Sequence, residues 1–514
     1  FIQPVELDLH DYQGYQPVEV FSKNKFPSVK SDAPYFFTLG PHDCQWFQLQ
    51  KTSAAQGEAK YLPAIELKKW SELLERHSVE YLENYIIPEY LMHVRWFGGK
   101  GRMIQGIRIV DHASIPLEED SAILLLIEVT YQSGLPETYQ LPVAFAKEEL
   151  AKKLEETCPK SAISRIVVNG NQGLLYDALF GQELQMEIFS RMANNHDVAL
   201  KNSELVFTGN KALKKYFKEN ERIKPRVLSA EQSNTALIYD NKYFLKFYRK
   251  VDRAINPDLE ITKFLSEKAK FSYIPAFVGA VQWQYSNNAI VLGMMQEMVE
   301  NNGHAWEYML DRLAAFNERI LSKHRDNLPS PSELRGSFTS PVSYDLLPDD
   351  MKELLDASVA ERVRLLGVRT GEMHIALASG IDVPDFKPEE FSLHYQRSLY
   401  SSFQTLVRAT FQSQVRNLRK LPDNVKKEAE EVLAMKDQIL DTFKRIYQKK
   451  FDVVKIRIHG DYHLGQVLFT GKDFIILDFE GEPARSYSER RLKRSPLRDV
   501  AGIIRSLHYA AYGG

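Results

Sequence analysis

A chain of 514 residues, 44% hydrophobic and 26% charged, is long enough for about three ordinary globular domains. A formal net charge of −2 excludes the strongly basic character of a nucleic-acid binder. The longest clean apolar run, Ala122 to Ile127, excludes a bilayer-spanning helix, which needs about 20 residues.

Along the chain, residues 1–50 alternate short apolar runs such as Val5-Glu6-Leu7-Asp8-Leu9 with turn residues Pro27, Pro34, Gly40 and Pro41, which predicts a small β-domain. Residues 51–60 are small and polar and read as a linker. Residues 61–200 mix helix and strand. A helix is expected around 66–86, then Arg95-Trp96-Phe97-Gly98-Gly99-Lys100-Gly101-Arg102, strands at 103–110, 121–131 and 137–146, and helices at 147–156 and 181–194. Residues 201–300 form a strand-rich lobe with one helix. From 301 to 514 the chain is mainly helical, interrupted by a strand cluster at 454–478. In the helix expected over 424–448, Val432, Met435, Ile439, Phe443 and Ile446 recur at spacings of three and four and predict a core-facing stripe. Two cysteines, Cys44 and Cys158, build neither a disulfide scaffold nor a Cys-rich zinc site and predict a reducing cytoplasm. No basic start followed by an apolar stretch marks a signal peptide. The start at Phe1 and the stop at Gly514, just after an apolar helical run, read as cut ends of a longer polypeptide, with a processed N-terminus as the alternative.

The strongest chemical signal lies at 454–480. A β-rich run ends in His459-Gly460-Asp461. Gln466 then precedes the strand Val467-Leu468-Phe469, and Asp478-Phe479-Glu480 follows its partner Phe474-Ile475-Ile476-Leu477 across the turn Thr470-Gly471-Lys472-Asp473. A tight hairpin brings Gln466 and Asp478 to one end, and Asp461 enters at that end. Phosphoryl transfer needs this grouping: an Asp that receives the acceptor hydroxyl proton, an amide five residues later, and a second Asp beyond a hairpin, the last two on magnesium. Asp461 is the expected catalytic residue. Gln466, Asp478 and Glu480 are the expected Mg2+ ligands, hard oxygen donors suited to that ion. The Gln in place of Asn, and Glu480 in place of Gly, indicate a small-molecule kinase rather than a protein kinase. His459 reads first as a loop-ordering residue and second as a substrate contact, and His463 has the same structural default. A surface hairpin with incidental acids is the alternative to the whole reading.

For ATP, Lys246 stands among apolar neighbours in the strand Tyr243 to Phe247, paired through Asp240-Asn241-Lys242 with Ala236 to Tyr239. It is a candidate for the phosphates, against a sheet-edge lysine. Asn256 and Pro257 open a helix in which Glu260, with Glu267 as competitor, is placed to pair with Lys246. No glycine-rich loop precedes Lys246; the turn Ala230 to Thr235 offers Ser233, Asn234 and Thr235 instead. Gly98-Gly99-Lys100-Gly101 is not a Walker A loop and reads as structural. The strand Ala289 to Leu292 runs into Met294-Met295-Gln296-Glu297-Met298-Val299, which reads equally as an adenine-binding hinge using Gln296, Glu297 and Met298 or as a buried strand end.

These strings together resemble the maltokinases, relatives of the aminoglycoside phosphotransferases. They are Arg95 to Arg102, Gln232-Ser233-Asn234-Thr235, Leu245-Lys246-Phe247, Asn256-Pro257-Asp258, Gly371-Glu372-Met373-His374, His459 to Gln466, Asp478 to Pro483 and Ser495 to Gly502. Pro4 to Leu9 and Pro34 to His42 resemble the C-terminal β-domain of trehalose synthases of the α-amylase superfamily. The resemblance implies an α+β, bilobal protein-kinase-like fold with an N-terminal α/β cap, preceded by a small all-β domain: 1–50 β-domain, 51–60 linker, 61–200 cap, 201–300 N-lobe, 301–514 helical C-lobe. It implies that family members continue past Gly514 into further C-lobe helices. It also implies ATP and Mg2+ as cofactors, maltose as acceptor giving maltose 1-phosphate for α-glucan synthesis, and a trehalose synthase domain as partner in cis or in trans. Arg485, Tyr487 and Arg498, with Tyr509, are candidates for the acceptor side, each of which also reads as structural taken singly. Other acceptors, such as another sugar or an aminoglycoside, and a non-catalytic glucan-binding module are the alternatives.

Overall fold

A computed structural model describes residues 3–12, 15–20, 29, 35–39, 46–51, 65–118, 120–220, 222–228, 233–322, 336–337 and 340–513. The expected linker at 51–60, apart from Lys51, and the turn residues Ala230 to Gln232 lie outside the described residues. So do Pro27, Pro34 and the Gly40-Pro41-His42 string. The chain divides into two units, 1–253 with 278–296 and 254–277 with 297–514. The helix Pro257–Lys263, expected within the strand-rich lobe, therefore groups with the second unit. Among the described residues no helix is long and apolar enough to cross a membrane.

At the start of the first unit, Gln3–Leu7 pairs antiparallel with Tyr35–Leu39, and Tyr15–Glu19 with Phe47–Lys51. The next sheet orders its strands Ile65–Leu67, Ala162–Val168, Asn171–Asp177, Glu137–Lys147, Ser121–Tyr131 and Ile104–Pro116. The run Ala122 to Ile127 is buried throughout, so both faces of this central strand are covered. In place of one helix over 66–86 there is a strand at 65–67 and a stepwise helical path from Trp70 to His93. Ile65 and Leu67 are drawn into the sheet by pairing with Ile166 and Val168, an attraction that local periodicity does not report.

The second sheet of this unit orders 198–199, 204–209, 277–284, 289–297, 243–248, 234–239 and 225–228. Asp240 and Asn241 both adopt positive φ, at 51° and 54°, and make the tight turn that sets Lys246 opposite Ala236. The two sheets are joined within the unit. Lys250–Val251 pairs with Thr138 and Tyr139, and the Gln140 side chain donates to the carbonyls of Tyr248 and Leu292.

The Arg95–Arg102 segment has the structural role expected of it. Arg102 stacks on the Tyr131 ring at 3.6 Å and ion-pairs with Glu137. Glu137 also receives the hydroxyls of Tyr131 and Tyr139, each at 2.7 Å, and Lys250 Nζ at 2.7 Å. A Cβ at Gly99 would lie 2.4 Å from the Tyr131 hydroxyl, so only glycine fits there.

In the second unit, Ala305–Ser322, Asp349–Leu355, Ala357–Ala378 and Leu497–Gly513 surround a short hairpin, Val467–Phe469 with Phe474–Ile476. A helical arm follows Leu393–Asn417 with Asp423–Ala434 and Lys436–Gln448. The single helix expected over 424–448 is broken at Met435. Val432 and Met435 are 44% and 46% exposed, so the predicted stripe is only partly core. Phe443 does pack, on Phe403 at 4.8 Å. A three-helix arm is too thin to bury a whole face, whatever its periodicity.

The Glu137 hub generates a stability prediction. Burial pushes its carboxyl up, but the bonds from Lys250, Tyr131 and Tyr139 outweigh this and hold it at about 2. A folded-state value below the unfolded one stabilises the fold above about pH 4.5, and the contribution fades as pH falls towards about 2. Glu137→Gln is expected to cost on the order of 1–2 kcal/mol at neutral pH, after allowance for solvent screening. Urea-denaturation midpoints of both proteins from about pH 7 to about pH 3 should converge with acidification; a gap independent of pH would remove Glu137 as the hub.

Candidate active site

The hairpin of the second unit places its polar residues by register. Val467 faces Ile476 across the pair, and Leu477 donates to the Gln466 carbonyl at 2.9 Å, so Gln466 and Asp478 share one end as expected. Gln466 Nε2 donates to Asp478 Oδ2 at 2.7 Å. Asp478 adopts φ 63°, a left-handed conformation unusual for a non-glycine residue and of the kind that concentrates at functional sites. The far end is clamped by the helix Ala357–Ala378: Arg369 grips Asp473 bidentately at 2.8 and 2.6 Å. The Arg369 guanidinium also lies 3.6 Å over the Tyr273 ring. On its outer strand the hairpin is extended by Asn302 and Gly303, which exchange backbone bonds with Phe469 at 2.7 and 2.9 Å.

Carboxylate oxygens of Asp258, Asp478 and Glu480 lie within 4.8 Å of one another. With Gln466 beside them they make an all-oxygen donor set that fits a hard divalent cation such as Mg2+. Asp258 was not among the expected ligands. It sits in the first turn of the helix 257–263, is 1% exposed, and accepts the Phe479 N–H at 3.0 Å. The cap Asn256, which accepts from Leu259 N–H at 3.1 Å as expected, sets the start of that helix. The sequence signals for Asp258 were its place beside this cap and in the Asn256-Pro257-Asp258 string of the maltokinase resemblance.

Glu260, two residues on, does something other than expected. It takes Arg491 bidentately at 2.9 and 2.6 Å and Arg457 at 2.8 Å. Both its oxygens are thereby engaged by arginines of the second unit. Burial raises its pKa, and the two arginines overcome that and hold it low. The residue is a structural tie between the helix 257–263 and the strand segment that leads to His459.

The loop His459 to Gly465 hangs from one buried carboxylate. Asp499, 1% exposed, accepts the N–H groups of His459 and Gly460, both at 2.9 Å, and His374 Nε2 at 2.9 Å. Burial pushes its pKa up, but the His374 bond and the field of His459 keep it below the ordinary carboxylate value. Gly460 has φ 88°, which a side chain would strain. A Cβ at Gly502 would lie 2.5 Å from the Tyr462 carbonyl, so the helix 497–513 lies directly on the loop. His459 is 1% exposed and its Nε2 meets the Leu477 carbonyl at 2.7 Å. It orders the loop, and the expectation of a substrate contact gives way to that role.

A cavity of about 730 Å³ opens beside Asp461. Its lining includes Trp306, His463, Glu482, Arg498, Arg505 and Tyr509. Arg498 and Tyr509 were expected on this side; Trp306, Glu482 and Arg505 were not. Arg485 and Tyr487 are not in that lining: Arg485 holds Glu482 at 2.7 Å, and the Tyr487 ring centroid lies 5.2 Å from the Arg490 guanidinium.

In the first unit Lys246 is 7% exposed, with Nζ 5.6 Å from the Tyr248 ring centroid. Asn234 and Ser233 side chains meet at 3.4 Å. The Thr235 hydroxyl is occupied by the fully buried Arg249 at 2.8 Å, which also pairs with Asp177, so its side chain is structural rather than directed to a phosphate. The strand Ala289–Glu297 runs through Gln296, and the chain leaves the first unit between Gln296 and Glu297. The Glu297 N–H is used by the Ala276 carbonyl at 2.9 Å, and Met298 follows the strand.

Asp499→Asn replaces one acceptor oxygen by an amine that opposes a backbone N–H. Bonds to a buried charged acceptor are worth about 1.5–3 kcal/mol each. The variant is expected to melt lower and to lose about 10- to 100-fold in turnover by misplacing Asp461. Unchanged melting and turnover would show that the loop does not depend on this carboxylate.

Residues 90–180 match the family model of the maltokinase N-terminal cap domain, and residues 1–46 that of the maltogenic amylase C-terminal domain. A trehalose synthase/amylase of Mycolicibacterium smegmatis is 42% identical over 57 residues, 11% of this chain and 9% of that protein. A glucosamine kinase of the same organism is 44% identical over 54 residues, 10% of this chain and 13% of that protein. The chain thus spans only a small part of the length of these curated relatives. A solved glucosamine kinase structure superposes with a TM-score of 0.51 at 14% identity, covering 80% of this chain and 76% of that one, a likeness of fold. Residues 90–180 are thus similar to maltokinase cap domains and residues 1–46 to maltogenic amylase C-terminal domains, within an α+β chain whose fold is like that of the glucosamine kinase.

Proposed function

We propose that this chain transfers the γ-phosphoryl group of ATP to the anomeric hydroxyl of maltose, giving maltose 1-phosphate and ADP for α-glucan synthesis in the cytoplasm. The observation that carries the reading is the cavity of about 730 Å³ at Asp461, set on the loop that also delivers Gln466 to the acidic cluster. In this reading Asp461 accepts the proton of the sugar hydroxyl as its oxygen forms a bond to phosphorus and the bond to the β-phosphate oxygen breaks. Lys246 offers its ammonium to the ATP phosphates, with backbone of the 233–235 segment beside them, and Gln296 to Met298 serve the adenine. Asp478, Glu480, Asp258 and Gln466 hold magnesium, which when bound neutralises charge on the phosphates. Trp306 and Tyr509 supply the aromatic faces, and Glu482 and Arg498 the polar groups, that a sugar needs in a cleft. Maltose is favoured by the maltokinase cap, and the amylase-type segment fits a trehalose synthase as partner in cis or in trans. The matched glucosamine kinase keeps a second acceptor class open, an amino sugar. A non-catalytic glucan-binding module would have no use for the cluster of Asp461, Gln466 and Asp478.

A maltose-dependent ADP-release assay tests the reaction. Turnover with maltose supports it, and no stimulation by maltose or any other sugar overturns it. Asp461→Asn keeps the size of the side chain but not its basicity, and is expected to lower turnover about 10²–10⁴-fold while ATP still binds. Near-normal turnover would remove Asp461 from this role.

For the metal, Asp478→Ala should raise the magnesium concentration needed for half-maximal activity more than Gln466→Asn does. A carboxylate contributes more to a hard cation than an amide, and water can replace part of the shortened amide. Equal or reversed shifts in magnesium titrations would refute the assignment.

A further inference from the structure

The wall of the cavity beside Asp461 contains one carboxylate held by two guanidiniums. Glu482 lines the cavity with Arg498. Arg498 donates to Glu482 Oε2 at 2.8 Å, and Arg485 donates to the same oxygen at 2.7 Å. The Arg485 bond first, and then the fields of both arginines, lower the Glu482 pKa below the ordinary carboxylate value against the opposing effect of burial. Both bonds fall on Oε2, so Oε1 remains an acceptor for a hydroxyl. Arg505, also in the lining, donates to the Tyr509 hydroxyl at 3.0 Å and adds another positive charge.

We propose that Arg485 and Arg498 are specificity-determining residues: by overcompensating Glu482 they turn an ammonium-binding group into a hydroxyl acceptor, and this wall of the cavity thereby shifts selection towards neutral sugars and away from cationic amino sugars. The inference rests on the proposed reading of this cavity as the acceptor site. Its physics is charge counting. One carboxylate against two guanidiniums leaves the triad with net charge +1, which disfavours an ammonium and leaves a neutral hydroxyl unaffected, while Asp461 and Asp499, also in the lining, are the same in every variant, so a change in the ratio reports the triad. Removing either guanidinium brings the triad to zero, and removing the carboxylate raises it to +2. The three groups are about a third exposed, with side-chain values of 36%, 38% and 37%, so the effect is screened but not abolished. A single charge at this distance and screening is worth roughly a 10-fold change in relative affinity.

The test compares glucosamine with glucose, at a pH that keeps the amine protonated, in the wild type and in Arg485→Gln, Arg485→Lys and Glu482→Gln. Relative affinity is read by titration calorimetry and relative kcat/KM by ADP release, with melting curves to confirm folding. Arg485→Gln is expected to raise the amine-to-neutral ratio about 10-fold, Glu482→Gln to lower it, and Arg485→Lys, which keeps the charge, to restore the wild-type ratio. The opposite signs separate charge from shape or from loss of structure. A ratio that is the same in all folded variants, or that moves the same way in Arg485→Gln and Glu482→Gln, overturns the inference. Binding without phosphorylation of either sugar leaves the charge selectivity readable in the affinities, and the maltose assay decides the proposed reaction separately. No binding of either sugar overturns the inference.

Discussion

The acceptance of two successive backbone N–H groups, from His459 and Gly460, by the buried carboxylate of Asp499 is the constraint on which the site depends. An irregular loop has few backbone partners of its own, and a buried N–H left unpaired is costly. Asp499 satisfies two at once and is itself held by His374. The position of Asp461 is thereby referred to two helices, 357–378 and 497–513, rather than to the loop's own stiffness. The close approach at Gly502, and the Thr370 hydroxyl meeting that of Tyr462 at 3.0 Å, fasten the same loop from both helices.

The acidic end of the hairpin is supported in a similar way from further off. Arg369 fixes the turn at Asp473, Asn302 and Gly303 extend the outer strand, and the Tyr273 carbonyl accepts from Ile476 at 2.8 Å. Three strand residues on each side could not hold such a hairpin alone, because an isolated two-stranded ribbon is marginal in water. Packing of Phe469, Phe474 and Ile476 into the core of the second unit supplies the rest. The strained φ of Asp478 is tolerated because both of its neighbours are fixed: Leu477 by the Gln466 carbonyl and Phe479 by Asp258.

The charged groups of the second unit divide into two kinds. Glu260 with Arg457 and Arg491, and Arg369 with Asp473, are spent on one another and hold elements together. Asp258, Asp478 and Glu480 bring three carboxylates to one place, an all-oxygen donor set.

Local pattern was enough for everything whose cause is local. The hairpin that aligns Gln466 with Asp478, the Asn256 cap, the turn at Asp240 and Asn241 and the long strands at 121–131 and 137–147 follow from residues within a few positions of one another. What pairing at a distance decides was not legible. Ile65 to Leu67 became a strand because Ile166 to Val168 lay open beside it. Met435 broke a helix whose stripe had too little to pack on. On one helix, Asp258 rather than Glu260 turned to the acidic cluster, because Arg457 and Arg491, some two hundred residues on, claim Glu260. The same holds for Asp499 and for the cavity wall of Trp306, Glu482 and Arg505. A side chain's chemistry is written in its own residue, but which partner it meets is decided by the burial and charge balance of the folded whole.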